Sequence, residues 1–173
     1  MATASAAPVL VVPQLDLKHI LVTTDFSDHS RLALKQAAAI ARLHQCDLTV
    51  LHLVPPDPII YAALEAATYS NDAACERAQE EVNRLAQDEC LRGTKCDFLL
   101  ESGALERTLD RIVKDRDISM LVLGTHWRTG FRKIILGSVA EEIFRMAQCP
   151  VLTIGPDVPA ALLTHGRFQS VLF

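Results

Sequence analysis

The stretch "HILVTTDFS", residues 19–27, decides the fold. Ile20, Leu21 and Val22 follow one another with no polar residue between them, and the run ends in Thr23, Thr24 and Asp25. A strand with one wet face alternates apolar and polar residues. An unbroken apolar run instead suits a strand covered on both faces, as in a parallel sheet. "DLTVLHLV" (Asp47–Val54) and "ISMLVLG" (Ile118–Gly124) read the same way, and "CDFLLESG" (Cys96–Gly103) and "PVLTIG" (Pro150–Gly155) are two further strand candidates.

Helical patterns fill the intervals. Ser30–His44 is rich in alanine and leucine. Ala78, Val82 and Leu85 form one stripe of a long polar helix from about Asp72 to Leu91. Leu105, Leu109 and Ile112 share a face of a third helix, and Val139, Ile143 and Met146 share a face of a fourth. Strand and helix therefore alternate from β to β, which predicts a three-layer α/β/α fold around a doubly wound parallel sheet. Residues 17–156 make up this domain, residues 1–16 an N-terminal extension, and residues 157–173 a linker and tail. "VPPDP" (Val54–Pro58) interrupts the pattern after the second strand and opens an excursion through Ser70, read as a surface loop. The tail "GRFQSVLF" (Gly166–Phe173) repeats the apolar and polar order of "LDLKHILV" (Leu15–Val22). Two readings stand side by side: the first strand of a second copy of the domain, or an ordinary C-terminal strand.

Composition narrows the function. The 173 residues carry a net charge of −4, with 50% hydrophobic and 5% aromatic residues. The core is therefore aliphatic, and no overall charge draws the chain to nucleic acid or to an anionic membrane. No apolar stretch approaches the roughly 20 residues that span a bilayer. The run Val9–Val12 lacks a basic leader and is broken by Pro13, so no signal peptide is expected. The 5 cysteines are odd in number, irregularly spaced and without a C-x-x-C pair. A disulfide framework or zinc site is not expected, and a cytoplasmic location is.

In a doubly wound sheet, ligands bind beyond the carboxyl ends of the strands, where strand order reverses. Two segments reach that level: "TTDFS" (Thr23–Ser27) and "GTHWRTGFRKIILGS" (Gly124–Ser138). If their strands are neighbours at the reversal, Asp25 faces the Gly124 loop. Neither a G-x-G-x-x-G nor a G-x-x-x-x-G-K-S/T pattern occurs. What remains is a glycine-bounded loop with Arg128, Arg132 and Lys133 inside it and a helix beginning at its far end. A helix N-terminus with free N–H groups attracts phosphate. Gly137 lets the backbone approach a ligand, and Ser138 adds a hydroxyl. The alternative is purely structural: Ser138 and Glu141 have capping-box spacing, which satisfies the helix end without a ligand. His126 lies in the loop and His52 inside the second strand. No partner positions either for catalysis, and no nucleophile and base recur at a recognisable spacing.

"LKHILVTTDFSDHSRLALKQAAAIA", "LTVLHLV" and "LVLGTHWRTGFRKIILGSVAEEIFRMAQCPVLTIGP" together resemble a universal stress protein domain, from about Leu17 to Pro156. The resemblance implies a five-stranded parallel sheet in the order 3-2-1-4-5. It implies a homodimer through the last strand, here Val151, Leu152, Thr153 and Ile154. It also implies a role in the stress response through dimer or partner contacts. Members divide into ATP-binding and non-binding groups, and the binding group carries G-x2-G-x9-G-S/T after the fourth strand. Gly124 matches the first glycine, and Gly137 and Ser138 match the last pair, but the second glycine falls on Trp127. By resemblance, Asp25 meets the adenine and ribose end of ATP, with magnesium. Thr23 and Leu53 line the base pocket, and Ser138, Val139 and the loop backbone meet the phosphates. Gly130 is an alternative turn residue in a loop re-registered by three positions. Trp127 either closes the site, leaving a nucleotide-free interaction protein, or reshapes it; His126 and Trp127 lie along the same wall. The related nucleotidyltransferases carry a His-x-x-His-type motif, which is absent here, so no enzyme activity beyond slow ATP hydrolysis is expected.

Overall fold

The computed structural model describes residues 16–54, 72–124, 143 and 145–155. The expectations for the N-terminal extension, the excursion after Val54, the tail and the loop beyond Gly124 lie outside the described residues, as does most of the last helix. Within them, five strands run β1 (His19–Thr23), β2 (Asp47–Val54), β3 (Cys96–Ser102), β4 (Met120–Gly124) and β5 (Val151–Ile154). They form one sheet in the order β3-β2-β1-β4-β5, and every neighbouring pair is parallel. The helices are α1 (Asp28–His44), α2 (Asp72–Leu85) and α3 (Leu105–Asp115).

The apolar run of β1 explains why it lies in the middle. Ile20, Leu21 and Val22 are each wholly shielded from solvent. Fully burying one such side chain is worth about 1.5–3 kcal/mol, and doing so for three in a row requires a covering layer on each face. Ile20 and Val22 pack with Leu48, Val50, Met120 and Val122 beneath Leu34, Ala37 and Ile40 of α1 and Leu85 of α2. Leu21 points the other way and packs with Leu51, Leu121 and Leu123 against Leu109 and Ile112 of α3 and against Ile143. The sheet is thus the middle of three layers.

Two boundaries differ from the sequence pattern. Helix α1 begins at Asp28 rather than Ser30, because Ser27 is the N-cap and its hydroxyl accepts the Ser30 N–H. Asp28 then falls in the first turn, where the helix dipole favours a negative charge. Helix α2 stops at Leu85 and does not run to Leu91. The Asp88 carboxylate accepts the Cys90 N–H at 2.9 Å and caps a separate 3-10 turn, Glu89–Leu91. A side chain that takes a backbone N–H in this way ends one helix and starts another. The new turn brings Leu91 into the core beside Leu85. The same bond is the main reason the Asp88 carboxyl lies below its ordinary range.

At the amino end of the strands a polar network ties β1, β2, β3 and the end of α3. His19 Nδ1 lies 3.0 Å from the Arg116 carbonyl, which can only accept, so Nδ1 donates. His19 Nε2 meets the Thr49 hydroxyl at 2.8 Å. Thr49, wholly buried, donates to Asp97 Oδ1 at 2.5 Å, and the Arg116 guanidinium pairs with the other Asp97 oxygen. Partial burial pushes the Asp97 carboxyl up, but the Thr49 and Arg116 hydrogen bonds and the Arg116 charge outweigh it, so the carboxyl is held below the ordinary range.

Replacing Thr49 with Val keeps the shape and removes the shared hydroxyl. The loss expected is about 1–3 kcal/mol of stability at neutral pH, read by urea denaturation. Because the folded Asp97 value is depressed, its contribution is complete above the unfolded value of about 4 and is lost as pH falls through the folded value. The gap between parent and Thr49→Val should therefore narrow below about pH 4. A gap that stays constant down to acid denaturation would contradict this account of the network.

Candidate functional site

The strand order reverses at β1, which leads by crossovers to β2 on one side and lies beside β4 on the other. A crevice at such a point opens beyond the carboxyl ends of β1 and β4. Residues Thr23–Ser30 and Gly124 reach its edge, and they are best understood from Thr24.

Thr24 is a buried polar residue with every group employed. Its N–H donates to the Leu51 carbonyl at 2.9 Å, carrying the ladder one residue past β1. Its carbonyl accepts from His52 Nδ1 at 2.8 Å. Its hydroxyl oxygen accepts the Phe26 N–H at 3.0 Å and lies 3.1 Å from the Ser30 hydroxyl. Ser30 gives its own proton to the Ser27 carbonyl at 2.9 Å, so Thr24 is the donor of the pair. These bonds join the end of β1, the end of β2 and the first turn of α1.

The backbone turns sharply between strand and helix. Phe26 adopts φ 63, in the left-handed region, which is uncommon for a non-glycine residue and costs about 1–2 kcal/mol. Two contacts offset that cost. The Phe26 ring stacks on His52 with centroids 4.2 Å apart and planes 32° from parallel. The Asp25 carboxylate closes the turn: its Oδ1 accepts the Ser27 N–H at 3.0 Å and the Ser27 hydroxyl at 2.5 Å. Asp25 itself is exposed.

Gly124, the last residue of β4, has a packing role independent of any ligand. A Cβ there would stand 2.8 Å from the His29 carbonyl oxygen, 2.9 Å from its carbon and 3.0 Å from the Ser30 nitrogen. All three are backbone atoms of the first turn of α1 and cannot swing aside. The missing side chain lets the end of β4 rest directly on α1, next to the turn that carries Asp25.

Of the residues expected at the site, Thr23, Asp25, Leu53 and Gly124 are described. Thr23 and Leu53 are half-buried, and by strand alternation both lie on the α3 face of the sheet, on adjacent strands. Asp25 and Gly124 lie at the β1–β4 reversal. His126, Trp127, Gly130, Gly137, Ser138 and Val139 lie outside the described residues. Thr24, Phe26 and Ser30, which the motif does not single out, hold the site together. The one sequence signal for them is the cluster of hydroxyl residues around Asp25. Among the described residues no group of His, Cys, Asp or Glu side chains could hold a metal ion, and no helix is long and apolar enough to cross a membrane.

A parallel five-stranded sheet between helix layers, with an acidic turn at the reversal, defines a doubly wound α/β protein. The chain belongs to the universal stress protein family, whose model matches residues 16–155. The universal stress protein MJ0531 of Methanocaldococcus jannaschii is 28% identical over 138 residues, spanning 79% of this chain and 81% of its own. MJ0577 of the same organism is 26% identical over 152 residues, 79% of this chain and 94% of its own. Its solved structure has a TM-score of 0.64 at 25% identity and covers 83% of this chain and 99% of that one. The universal stress protein UspA of Lactobacillus plantarum gives a TM-score of 0.61 at 25% identity, covering 80% and 97%.

Gly124→Ala should cost about 1–3 kcal/mol of stability, the usual effect of forcing a group into a packed site, measured by chemical denaturation without nucleotide. A variant as stable as the parent would show that the glycine is not required for packing.

Proposed function

We propose that the chain is an adenine-nucleotide-binding universal stress protein that takes ATP, with magnesium, in the crevice beyond β1 and β4. The observation that carries this reading is the Asp25 carboxylate, exposed on a turn fixed at both ends, beside Gly124 at the strand-order reversal. A carboxylate so held can accept hydrogen bonds from ribose hydroxyls or an amino group without first being ordered, which lowers the cost of binding. Thr23 and Leu53 would line the base, and Gly137, Ser138 and Val139 would meet the phosphates. His126 and Trp127 would form the outer wall, with Gly130 as the alternative turn. A structural neighbour from Archaeoglobus fulgidus, 23% identical with a TM-score of 0.58, was solved with dAMP. That likeness speaks to the fold, and the residues above carry the reading.

Occupancy would act through contacts with a second copy or another protein rather than through chemistry, since the sequence carries no nucleophile and base at a recognisable spacing. The second copy would pair along Val151–Ile154, the last strand of the described sheet. The five cysteines are free, and burial is the first cause holding the Cys90 and Cys96 thiols up at about 12. A cytoplasmic setting accords with them.

Trp127 supports a second reading, a nucleotide-free interaction protein. If that position needs a left-handed backbone, a non-glycine residue costs about 1–2 kcal/mol. Micromolar binding is worth about 8 kcal/mol, so strain alone does not decide between the two readings, whereas a blocked cleft would.

Calorimetry with magnesium–ATP tests the proposal. The parent should bind, and Asp25→Asn, which keeps the acceptor for Ser27 but not the charge, should bind at least about tenfold more weakly, about 1.4 kcal/mol. No heat from the parent at millimolar nucleotide would overturn the nucleotide reading. Trp127→Gly then separates the roles of the indole: affinity rises if it obstructs and falls if it stacks on the ligand.

A further inference from the structure

The Asp25 turn is held from below by one side chain of a different strand. His52 lies near the carboxyl end of β2, half-buried, on the face of the sheet covered by α1. It holds the residues on both sides of Asp25. Its Nδ1 donates to the carbonyl of Thr24, and its ring supports the ring of Phe26. The carbonyl can only accept, so the proton on Nδ1 is fixed and the ring has one orientation. Thr24 and Phe26 are also tied to each other, Phe26 N–H to Thr24 Oγ1 at 3.0 Å. Asp25 is therefore the middle residue of a three-residue clamp. A ring stack and a hydrogen bond from β2 compensate the left-handed φ of 63 at Phe26.

We infer that His52 is a positioning residue for the nucleotide site: it holds the Thr24–Phe26 segment in the geometry that presents the Asp25 carboxylate to the crevice. Its consequence for affinity rests on the nucleotide reading above. Its effect on the turn does not, and can be measured in the nucleotide-free protein. His52 makes no contact with ligand in this scheme. It acts through the Thr24 carbonyl and the Phe26 ring, so a residue that restores only the N–H should recover much of the function. Asparagine is such a residue, because its side-chain N–H can occupy roughly the place of Nδ1. Leucine keeps bulk and apolar packing but donates nothing.

The test compares His52→Leu, His52→Asn and Phe26→Leu with the parent. Amide hydrogen exchange is read at Ser27, whose N–H is bound to Asp25 Oδ1, and at Leu21 in the centre of β1 as a control for folding. Without nucleotide, His52→Leu should speed Ser27 exchange at least tenfold and leave Leu21 unchanged. His52→Asn and Phe26→Leu, each of which loses the stack but keeps a hydrogen bond to Thr24, should both fall between the parent and His52→Leu. If His52→Leu does not fold, faster Ser27 exchange in His52→Asn and Phe26→Leu than in the parent still decides. Affinity for magnesium–ATP should follow the same order. A parent that binds no ATP, with the exchange order intact, overturns the nucleotide reading and leaves the clamp standing. Ser27 exchange that is the same in His52→Leu or Phe26→Leu as in the parent overturns the clamp.

Discussion

Everything in this fold hangs on the complete burial of Ile20, Leu21 and Val22 in β1. Side chains on both faces of one strand can be buried together only if the sheet is covered above and below, here by helices, and flanked by a strand on each side. Parallel neighbours need crossover connections, and connections that leave β1 and β4 in opposite directions put a reversal of strand order between them. The crevice is thus a geometric by-product of protecting three aliphatic residues. The polar residues that end the run, Thr23 to Asp25, are delivered to its edge by the strand itself.

The two ends of the sheet then use polar groups differently. At the amino end, His19, Thr49, Asp97 and Arg116 spend their hydrogen bonds on one another and stitch three strands to α3. At the carboxyl end, Thr24 and Ser30 bind each other and the backbone, so that strand, turn and helix keep one geometry. The first network serves stability. The second presents an exposed carboxylate on a rigid support, which is what a binding site requires. Gly124 joins the two concerns, because the contact that packs β4 on α1 lies next to the turn that carries Asp25.

Much of this was legible in the residues. β1, β2 and β4 announce themselves as unbroken apolar runs, and alternation with helical stripes gives the layers. The likeness to a known family supplied the strand order. Boundaries were less legible where a polar side chain takes a backbone N–H. Ser27 starts α1 two residues earlier than its apolar pattern, and Asp88 splits off a 3-10 turn from the single helix expected from about Asp72 to Leu91. Nothing in the local sequence marks Phe26 for a left-handed backbone. The compensation comes from His52, 26 positions later, and only pairing of β1 with β2 brings them together. By resemblance Gly124 is the first glycine of the nucleotide-loop motif, and its steric need against His29 and Ser30 becomes visible only once α1 lies across β4.

The central claim is that the β1–β4 reversal is where a nucleotide binds. Titrating the isotope-labelled protein with magnesium–ATP and following each backbone amide by NMR tests it most directly. The account predicts the largest shifts at Thr23 to Ser30 and at Gly124, with Thr49 and Asp97 at the far end of the sheet unmoved. Shifts centred on that far end, or none at millimolar nucleotide, would contradict it.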